Sequence, residues 1–282
     1  MKKVRIAGVP EHFNLPWHLC IEDGSFDDAG IDLEWIDVPE GTGKMCQMLE
    51  SGETDLAIVL TEGIVKAVAS GNPSKIIQNY VESPLLWGVH TKFGKNTEEL
   101  LQKTNPIIAI SRMGSGSHLM AFVWAQKRGI QPEQLQFKIV HTLDGAVEHL
   151  KNESADFFLW ERFTTQPLVS AGIFQRIDEC PTPWPCFVLV GRNEFLEKES
   201  QTVSLIQEII EPTIDEFTFI PSIDRTIASR YGLELEQVTH WLGLTRWSSA
   251  DFKQETLNII QNQLIDLALM SKKITFADIV HR

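Results

Sequence analysis

The chain has 282 residues, of which 43% are hydrophobic and 22% charged, and its formal net charge is −13 at pH 7. This composition is typical of a globular protein with a large core and excludes a disordered chain. Because nucleic acids and anionic membranes are bound by basic surfaces, the negative charge argues against both as main partners. No apolar run reaches the roughly 18 residues that a membrane-spanning helix needs, so no membrane insertion is predicted.

Strands and helices alternate along the first third of the chain. Strands are predicted at 3–9, 31–38, 55–60 and 75–80, where short apolar runs end in loops of polar and small residues. Helices between them end near Gly24, Gly52 and Ser70. This alternation predicts a mainly parallel sheet with right-handed crossovers.

A second block begins with an extended segment at 84–91 and repeats the alternation. From residue 193 onward the pattern is almost wholly helical. Two ordered crossings, near 85–91 and 185–191, join the blocks without a flexible linker, which suits a hinge. We therefore expect two doubly wound α/β lobes and a helical C-terminal tail. The further strands are predicted at 107–110, 137–141, 156–160 and 187–191, and the helices at 97–103, 115–129, 143–152, 161–171, 198–211, 213–219, 223–231, 235–242 and 249–270.

The segment from Pro106 to Ile130 carries the most specific local pattern. A short apolar strand leads into a Gly/Ser loop, and a helix begins at Ser115 or Ser117. The first amides of a helix lack internal partners and the helix dipole is positive there, so the loop can hold an anionic or strongly polar group. An ordinary capped turn fits the same pattern equally well. The candidate ligand-binding residues here are Ser111, Gly114, Ser115, Gly116, Ser117 and His118.

The residues of this loop do not match the known nucleotide-binding motifs. A dinucleotide-binding fingerprint requires a small residue where Leu119 stands, and no Gly-Lys-Ser/Thr tripeptide of a nucleotide P-loop occurs. Paired catalytic carboxylates, nucleophile elbows and metal-ligand spacings are also missing from the sequence. We therefore predict no catalytic residue, no metal site and no cofactor.

Other candidate ligand contacts follow the remaining strands. His12, Phe13, Asn14 and Trp17 follow the first strand. They are predicted to form a cleft wall of stacking rings and hydrogen-bonding groups, and a surface loop packed on the neighbouring helix is the alternative. Glu62 can bind a cationic nitrogen or can be a solvated charge, and Arg162 can fork to an anionic group or pair with Glu161. The candidates of this second set are His12, Phe13, Asn14, Trp17, Thr42, Thr61, Glu62, Trp160 and Arg162.

Five segments carry a resemblance to a known family: VRIAGVPEHFNLPWHLCIEDGSFDDAGIDLEWI, MLESGETDLAIVLTEGIVKAVASG, MGSGSHLMAFVWAQKRGI, ESADFFLWERFTTQPLVSAGIF and YGLELEQVTHWLGLTRWSSADF. In their order and spacing, the chain resembles the type-2 periplasmic-binding-protein family, in the branch of sulfonate- and taurine-binding proteins and thiamine-pyrimidine-synthase-like proteins. The resemblance implies that residues 1–88 and 189–282 form lobe I, with the tail packing on it, and that 89–188 form lobe II. Ligands of this family lie in the cleft at the carboxyl ends of the strands.

The chain departs from the synthase relatives in two places. They carry a lysine at the end of the third strand, which forms a Schiff base with pyridoxal phosphate, whereas this chain reads Leu60-Thr61-Glu62. They also carry a cysteine-rich run where this chain has only Cys180 and Cys186. Since no imine can form without that lysine, synthase activity is not expected, and a binder without enzymatic activity is the first expectation. An enzyme of thiamine-pyrimidine precursor or related metabolism stays the alternative.

The expected function is that of a small-molecule binding protein, whose two lobes close around a polar, anionic or heteroaromatic ligand. Most relatives carry a signal peptide and serve an ABC transporter. Met1-Lys2-Lys3 is followed at once by a strand pattern and by no apolar segment of the secretory type. A cytoplasmic location without a transporter partner is therefore expected, or a periplasmic one if a signal segment has been removed.

Overall fold

The computed structural model describes residues 1–281, which form two compact units. Unit 1 comprises Met1–Pro84 and the chain from Trp184 onward, and unit 2 comprises Leu85–Pro183. Both breaks fall beside a proline, whereas the sequence interpretation places them at 88 and 189, inside two strands. The strands are β1 (Lys2–Gly8), β2 (Ile31–Asp37), β3 (Leu56–Leu60), β4 (Ser74–Val81), β5 (Leu86–Lys92), β6 (Ile107–Ile110), β7 (Gln136–Ile139), β8 (Phe157–Glu161), β9 (Phe174–Pro181) and β10 (Phe187–Arg192).

Helices surround the sheet of each unit, and short 3-10 turns lie at His12–Asn14, Pro132–Gln134 and Phe217–Phe219. The helices are α1 (Leu15–Glu22), α2 (Ser25–Asp28), α3 (Thr42–Ser51), α4 (Thr61–Ala69), α5 (Thr97–Leu101), α6 (Gly116–Lys127), α7 (Leu143–Lys151), α8 (Gln166–Ser170), α9 (Asn193–Lys198), α10 (Ser200–Glu216), α11 (Ile223–Tyr231), α12 (Leu235–Leu244), α13 (Gln254–Asp266) and α14 (Phe276–Ile279).

Each unit contains a five-stranded mixed sheet. The order in unit 1 is β2-β1-β3-β10-β4, with β10 antiparallel to both of its neighbours. The order in unit 2 is β7-β6-β8-β5-β9, with β5 antiparallel to both of its neighbours. The predicted α/β fold of two lobes is confirmed. The sheets are mixed because β10, where the chain returns to unit 1, and β5, where the chain enters unit 2, each run against the other strands of their sheet.

The helical tail belongs to unit 1, as expected. Helix α10 packs against α1, α13 packs against α4, and α14 packs against β4 and α4. The apolar stripe of α10, which includes Val203, Ile206, Ile210 and Ile214, is buried. The tail therefore completes the core of unit 1. No helix in the described residues is long and apolar enough to cross a bilayer.

Four predicted helices were wrong in detail. Residues 161–171 were expected to form one helix, but Glu161 ends β8 and only Gln166–Ser170 is helical, because Pro167 suits the first turn of a helix and not its interior. The two helices predicted at 198–211 and 213–219 are replaced by a single helix, α10, which contains Pro212 and is followed by the 3-10 turn Phe217–Phe219. The helix predicted at 249–270 is shorter, at Gln254–Asp266.

A buried acid ties together three strands of unit 1 at the edge opposite the carboxyl ends of β1 and β3. Asp55 accepts hydrogen bonds from Arg5 N, Nε and Nη2 at 3.1, 3.1 and 3.0 Å. It also accepts bonds from Arg192 Nε and Nη2 at 3.0 and 2.8 Å. Burial by itself would raise the pKa of Asp55, but the hydrogen bonds from both arginines lower it overall. Asp55 is therefore an ionised junction between β1, β3 and β10.

Candidate functional site

The candidate contacts of unit 1 lie at one edge of its sheet. The parallel strands β1, β2 and β3 end there, and β10 begins beside the end of β3, with Phe187 opposite Leu60. In open α/β sheets, the carboxyl ends of the strands are where ligands bind. The loops and helix starts that contain His12, Thr42 and Glu62 therefore share the edge at which a ligand is expected.

The 3-10 turn His12–Asn14 is held rigidly at this edge. The carbonyl oxygen of Phe13 accepts hydrogen bonds from Tyr80 OH at 2.7 Å and from Trp247 Nε1 at 3.1 Å. Asn14 Nδ2 donates to the carbonyl oxygen of Val9 at 2.8 Å. The position of the turn is thus fixed by groups from β4 and from the C-terminal tail.

A glycine at the end of β1 allows this turn to lie close to the sheet. A Cβ atom at Gly8 would lie 2.3 Å from Trp35 Cζ2 and 2.9 Å from Asn14 Nδ2. Contacts this short do not occur, so a larger residue would displace the indole and the amide. Gly8 is therefore required for the local packing around Asn14.

His12 is buried against the C-terminal helices. Its ring centroid lies 4.2 Å from that of Trp241 and 6.0 Å from that of Tyr231. Burial lowers the pKa of His12 to about 3, so the imidazole is neutral at physiological pH. Its Nε2 atom is buried and has no hydrogen-bonding partner among residues 1–281.

Asn14 and Trp17 are also fully buried. The ring of Trp17 lies 6.1 Å from Phe26, 6.3 Å from Tyr80 and 6.4 Å from Trp35, measured between centroids. Trp17 Nε1 and Asn14 Oδ1 are buried without a hydrogen-bonding partner in the described chain. Because the ring of Trp17 packs against other rings, its indole N–H is the group that can hydrogen-bond to a ligand.

Glu62 is a buried carboxyl group in the first turn of α4. Its Oε2 atom accepts a hydrogen bond from Trp184 Nε1 at 2.8 Å, and its Oε1 atom is buried without a partner among the described residues. Burial raises the pKa of Glu62 to about 7, against the lowering effects of its own backbone amide and of the Trp184 hydrogen bond. At neutral pH this carboxyl group is poised between its neutral and charged forms.

The two candidate threonines of unit 1, Thr42 and Thr61, use their hydroxyl groups within the protein. Thr61 Oγ1 donates to the carbonyl oxygen of Pro185 at 2.7 Å, and Thr42 Oγ1 accepts from Leu60 N at 3.0 Å. These bonds hold the starts of α3 and α4 beside the end of β3. The threonines position Glu62, and their role as direct ligand contacts stays a prediction.

In unit 2, the Gly/Ser loop forms a closed network before α6. Ser115 caps the helix by accepting from His118 N at 3.3 Å, which confirms the predicted helix start. Ser117 Oγ accepts from Ser111 N at 3.0 Å and lies 3.0 Å from Ser115 Oγ. Gly114, with φ +77°, donates its amide to His118 Nδ1 at 3.0 Å. The hydroxyl groups therefore shape the loop, and the role of its residues as ligand contacts stays a prediction.

Trp160 and Arg162 flank Glu161 at the end of β8. Arg162 forms an ion pair through Nε with Glu179 and lies 4.6 Å over the ring of Phe163, while its Nη1 atom is buried without a partner in the described chain. The pairing of Arg162 with Glu161 that the sequence left open is not the one observed. Trp160 stacks on Phe158 at 5.4 Å. Arg162 retains one buried donor for an anionic or polar group.

Several residues at the edge of unit 1 were not predicted as ligand contacts. They are Trp184, Tyr231 and Trp241, which no local motif of the sequence marks as ligand contacts. Only their approach in space to His12 or Glu62 brings them to the site. No group of three or more His, Cys, Asp or Glu side chains within residues 1–281 is placed to hold a metal ion.

The two units have the periplasmic-binding-protein fold. The structure of the Candida albicans CA3427 gene product has a TM-score of 0.87 at 24% identity, and the match covers 97% of this chain and 92% of that one. The alkanesulfonate-binding protein SsuA from Xanthomonas axonopodis pv. citri, bound to MOPS, has a TM-score of 0.82 at 14% identity, covering 100% and 99%.

A zinc-bound ligand-binding component of an ABC-type import system from Staphylococcus aureus has a TM-score of 0.81 at 14% identity, with coverage of 100% and 97%. The family model described as Ca3427-like PBP matches residues 87–180, which lie within unit 2. No curated protein matches the chain. At these identities, the structural likeness establishes the fold.

Proposed function

We propose that the chain is a solute-binding protein that holds a small polar molecule at the carboxyl-end edge of its sheets. The observation that carries the proposal is a set of buried atoms in unit 1, namely His12 Nε2, Asn14 Oδ1 and Glu62 Oε1, that have no partner among residues 1–281. Each such atom costs roughly 1–3 kcal/mol if it stays without a hydrogen bond. A ligand or bound water that supplies these bonds would remove that cost.

The fold supports the same proposal. Among the proteins of similar structure are an alkanesulfonate-binding protein and a ligand-binding component of an ABC-type importer. Sulfonates therefore belong among the first ligands to test, and thiamine-type pyrimidines are added because of the resemblance in sequence. Buried donors in unit 2, such as Arg162 Nη1, suit an anionic group, whereas the edge of unit 1 presents aromatic and neutral polar groups together with the acid Glu62.

A thermal-shift screen of sulfonates, phosphates, amino acids, pyrimidines and thiamine intermediates tests the proposal. A ligand that binds only the folded state stabilises it by RT ln(1 + [L]/Kd), about 2.7 kcal/mol at a hundredfold excess over Kd. We expect at least one class to raise Tm in proportion to the logarithm of its concentration. A flat response to every class would contradict solute binding.

Glu62→Ala is expected to weaken binding of the ligand found in that screen by about 10- to 100-fold, because hydrogen bonds to charged groups contribute about 1.5–3 kcal/mol. Isothermal titration calorimetry measures the change. Glu50→Ala is the matched control, since Glu50 is an exposed acid on α3 of the same unit. Equal affinities for the two variants would exclude Glu62 as a ligand contact.

The closure of two lobes on the ligand, predicted from the sequence, is tested by small-angle scattering with and without the ligand found in the screen. The cytoplasmic location and the lack of a transporter partner also stay predictions, and cell fractionation tests the first of them. Incubation with pyridoxal phosphate tests the alternative of an enzyme, because an imine absorbance would require a reactive lysine.

A further inference from the structure

Helices α11 and α12 carry three more buried polar atoms, and two of the three residues lie beside His12. They are Tyr231 OH, Gln237 Oε1 and Trp241 Nε1, and none has a hydrogen-bonding partner among residues 1–281. The rings of Tyr231 and Trp241 lie 6.0 and 4.2 Å from that of His12. Gln237 precedes Trp241 by four residues on α12, so the two side chains share a helix face. The C-terminal helices thus add to the candidate site and do more than fill the core.

We propose that His12, Tyr231, Gln237 and Trp241 form one subsite for an uncharged, nucleobase-like heteroaromatic ring. The inference rests on the proposed function, and it names the ligand class and the C-terminal residues that recognise it.

The hydrogen-bonding capacity of the four residues matches such a ring. Trp241 Nε1 is a donor only, Gln237 Oε1 is an acceptor only, and the Tyr231 hydroxyl group can donate and accept. His12 Nε2 donates or accepts according to its tautomer. The edge of a nucleobase presents both N–H donors and ring-nitrogen or carbonyl acceptors, whereas an aliphatic sulfonate presents only acceptors.

Charge also favours an uncharged ligand. Burial lowers the pKa of His12 to about 3 and raises the pKa of Tyr231 to about 12, so both are neutral at physiological pH. Gln237 and Trp241 carry no charge. Because none of these four groups is charged, none of them would offset the cost of burying an ion against them.

Aromatic side chains supply the wall of this subsite. His12 stacks on Phe13 with centroids 4.9 Å apart, and Trp241 meets the ring of Phe13 at 5.1 Å and that of Trp247 at 5.3 Å. Offset and edge-on contacts of this kind extend readily to one more planar ring. A heteroaromatic ligand would make these ring contacts as well as the hydrogen bonds. A sugar would make only the hydrogen bonds, because it has no planar aromatic face.

The two tyrosines of the chain provide a matched pair for the test. Tyr80 OH donates to the carbonyl oxygen of Phe13 at 2.7 Å, whereas Tyr231 OH has no partner in the described chain. Tyr80→Phe removes an existing bond and should lower the Tm of the ligand-free protein. Tyr231→Phe removes a hydroxyl group that makes no bond, so Tm should not fall, and only ligand affinity should change.

Calorimetric titrations with cytosine, adenine, methanesulfonate and glucose complete the experiment. We expect cytosine or adenine to bind the wild-type protein. We also expect Tyr231→Phe and Gln237→Leu each to weaken that binding by about two- to tenfold, the effect of one lost hydrogen bond.

The inference is overturned if neither base binds, if both variants bind the base as tightly as wild type, or if glucose binds in its place. Binding of methanesulfonate alone would be consistent with the proposed solute-binding function, but it would contradict a subsite for an uncharged heteroaromatic ring. A lack of response to every class in the thermal-shift screen would instead contradict the proposed function itself.

Discussion

Asp55→Ala is expected to lower the free energy of unfolding of unit 1 by about 3 kcal/mol, the lower end of the range for breaking a buried ion pair. The Asp55 carboxylate receives five hydrogen bonds, three from Arg5 and two from Arg192. Without it, two partly buried guanidinium groups keep only secondary contacts, which Arg5 makes with Glu53 O and Arg192 with Glu194. Urea unfolding followed by tryptophan fluorescence measures the loss.

Unit 2 contains a natural comparison for this variant. Asp156 stands one residue before β8, as Asp55 stands one residue before β3, and it accepts from Ile107 N and from Lys103 Nζ, both at 2.8 Å. The side chain of Lys103 is 45% exposed, so Asp156→Ala should cost only about 1 kcal/mol. If Asp55→Ala destabilises the protein no more than Asp156→Ala does, the junction of three strands in unit 1 is not the stabilising feature inferred.

The α/β architecture could be predicted because its signals are local. The runs LAIVL of β3 and IIAI of β6 are short, apolar and bounded by polar residues, and Ser115 is a strong helix cap. Strand β9 escaped prediction for the opposite reason. It is an edge strand that carries Arg176, Asp178 and Glu179, and an edge strand needs no continuous apolar run.

The candidate site could be predicted only in part, because its pairings are long-range. The loops after the strands were identified as candidates, since strand ends in such folds meet at one edge. The hydrogen-bonding partner of Glu62, however, is Trp184, 122 residues further along the chain. The ring that packs against His12 is that of Trp241 in the C-terminal tail. No local pattern reveals such pairs. The Gly/Ser loop shows the same limit, because its residues indicate a capped helix but do not reveal that the serine hydroxyl groups bond to each other.

Glu62→Gln is expected to stabilise the ligand-free protein above pH 7 by on the order of 3 kcal/mol, and to leave its stability unchanged near pH 4. The pKa of Glu62 is raised from 4.5 to about 7 in the folded protein. Between these values the folded state keeps a proton that the unfolded chain has lost. The stabilising contribution of the protonated carboxyl group is therefore fully present below pH 4.5 and is lost as the pH rises through 7. Glutamine cannot ionise, so the variant avoids this loss.

Thermal unfolding of both proteins from pH 4 to pH 9 measures the difference, and Glu161→Gln is the matched control. Burial also raises the pKa of Glu161, but Glu161 Oε2 accepts from Thr164 N at 2.6 Å and from Thr164 Oγ1 at 2.9 Å. Because these bonds support the charged form, its gain on substitution should be smaller. A Glu62→Gln effect that did not vary with pH would contradict the inferred burial of an ionisable acid. A pH-dependent gain would show that Glu62 is retained at a cost in stability, as expected of a group kept for binding.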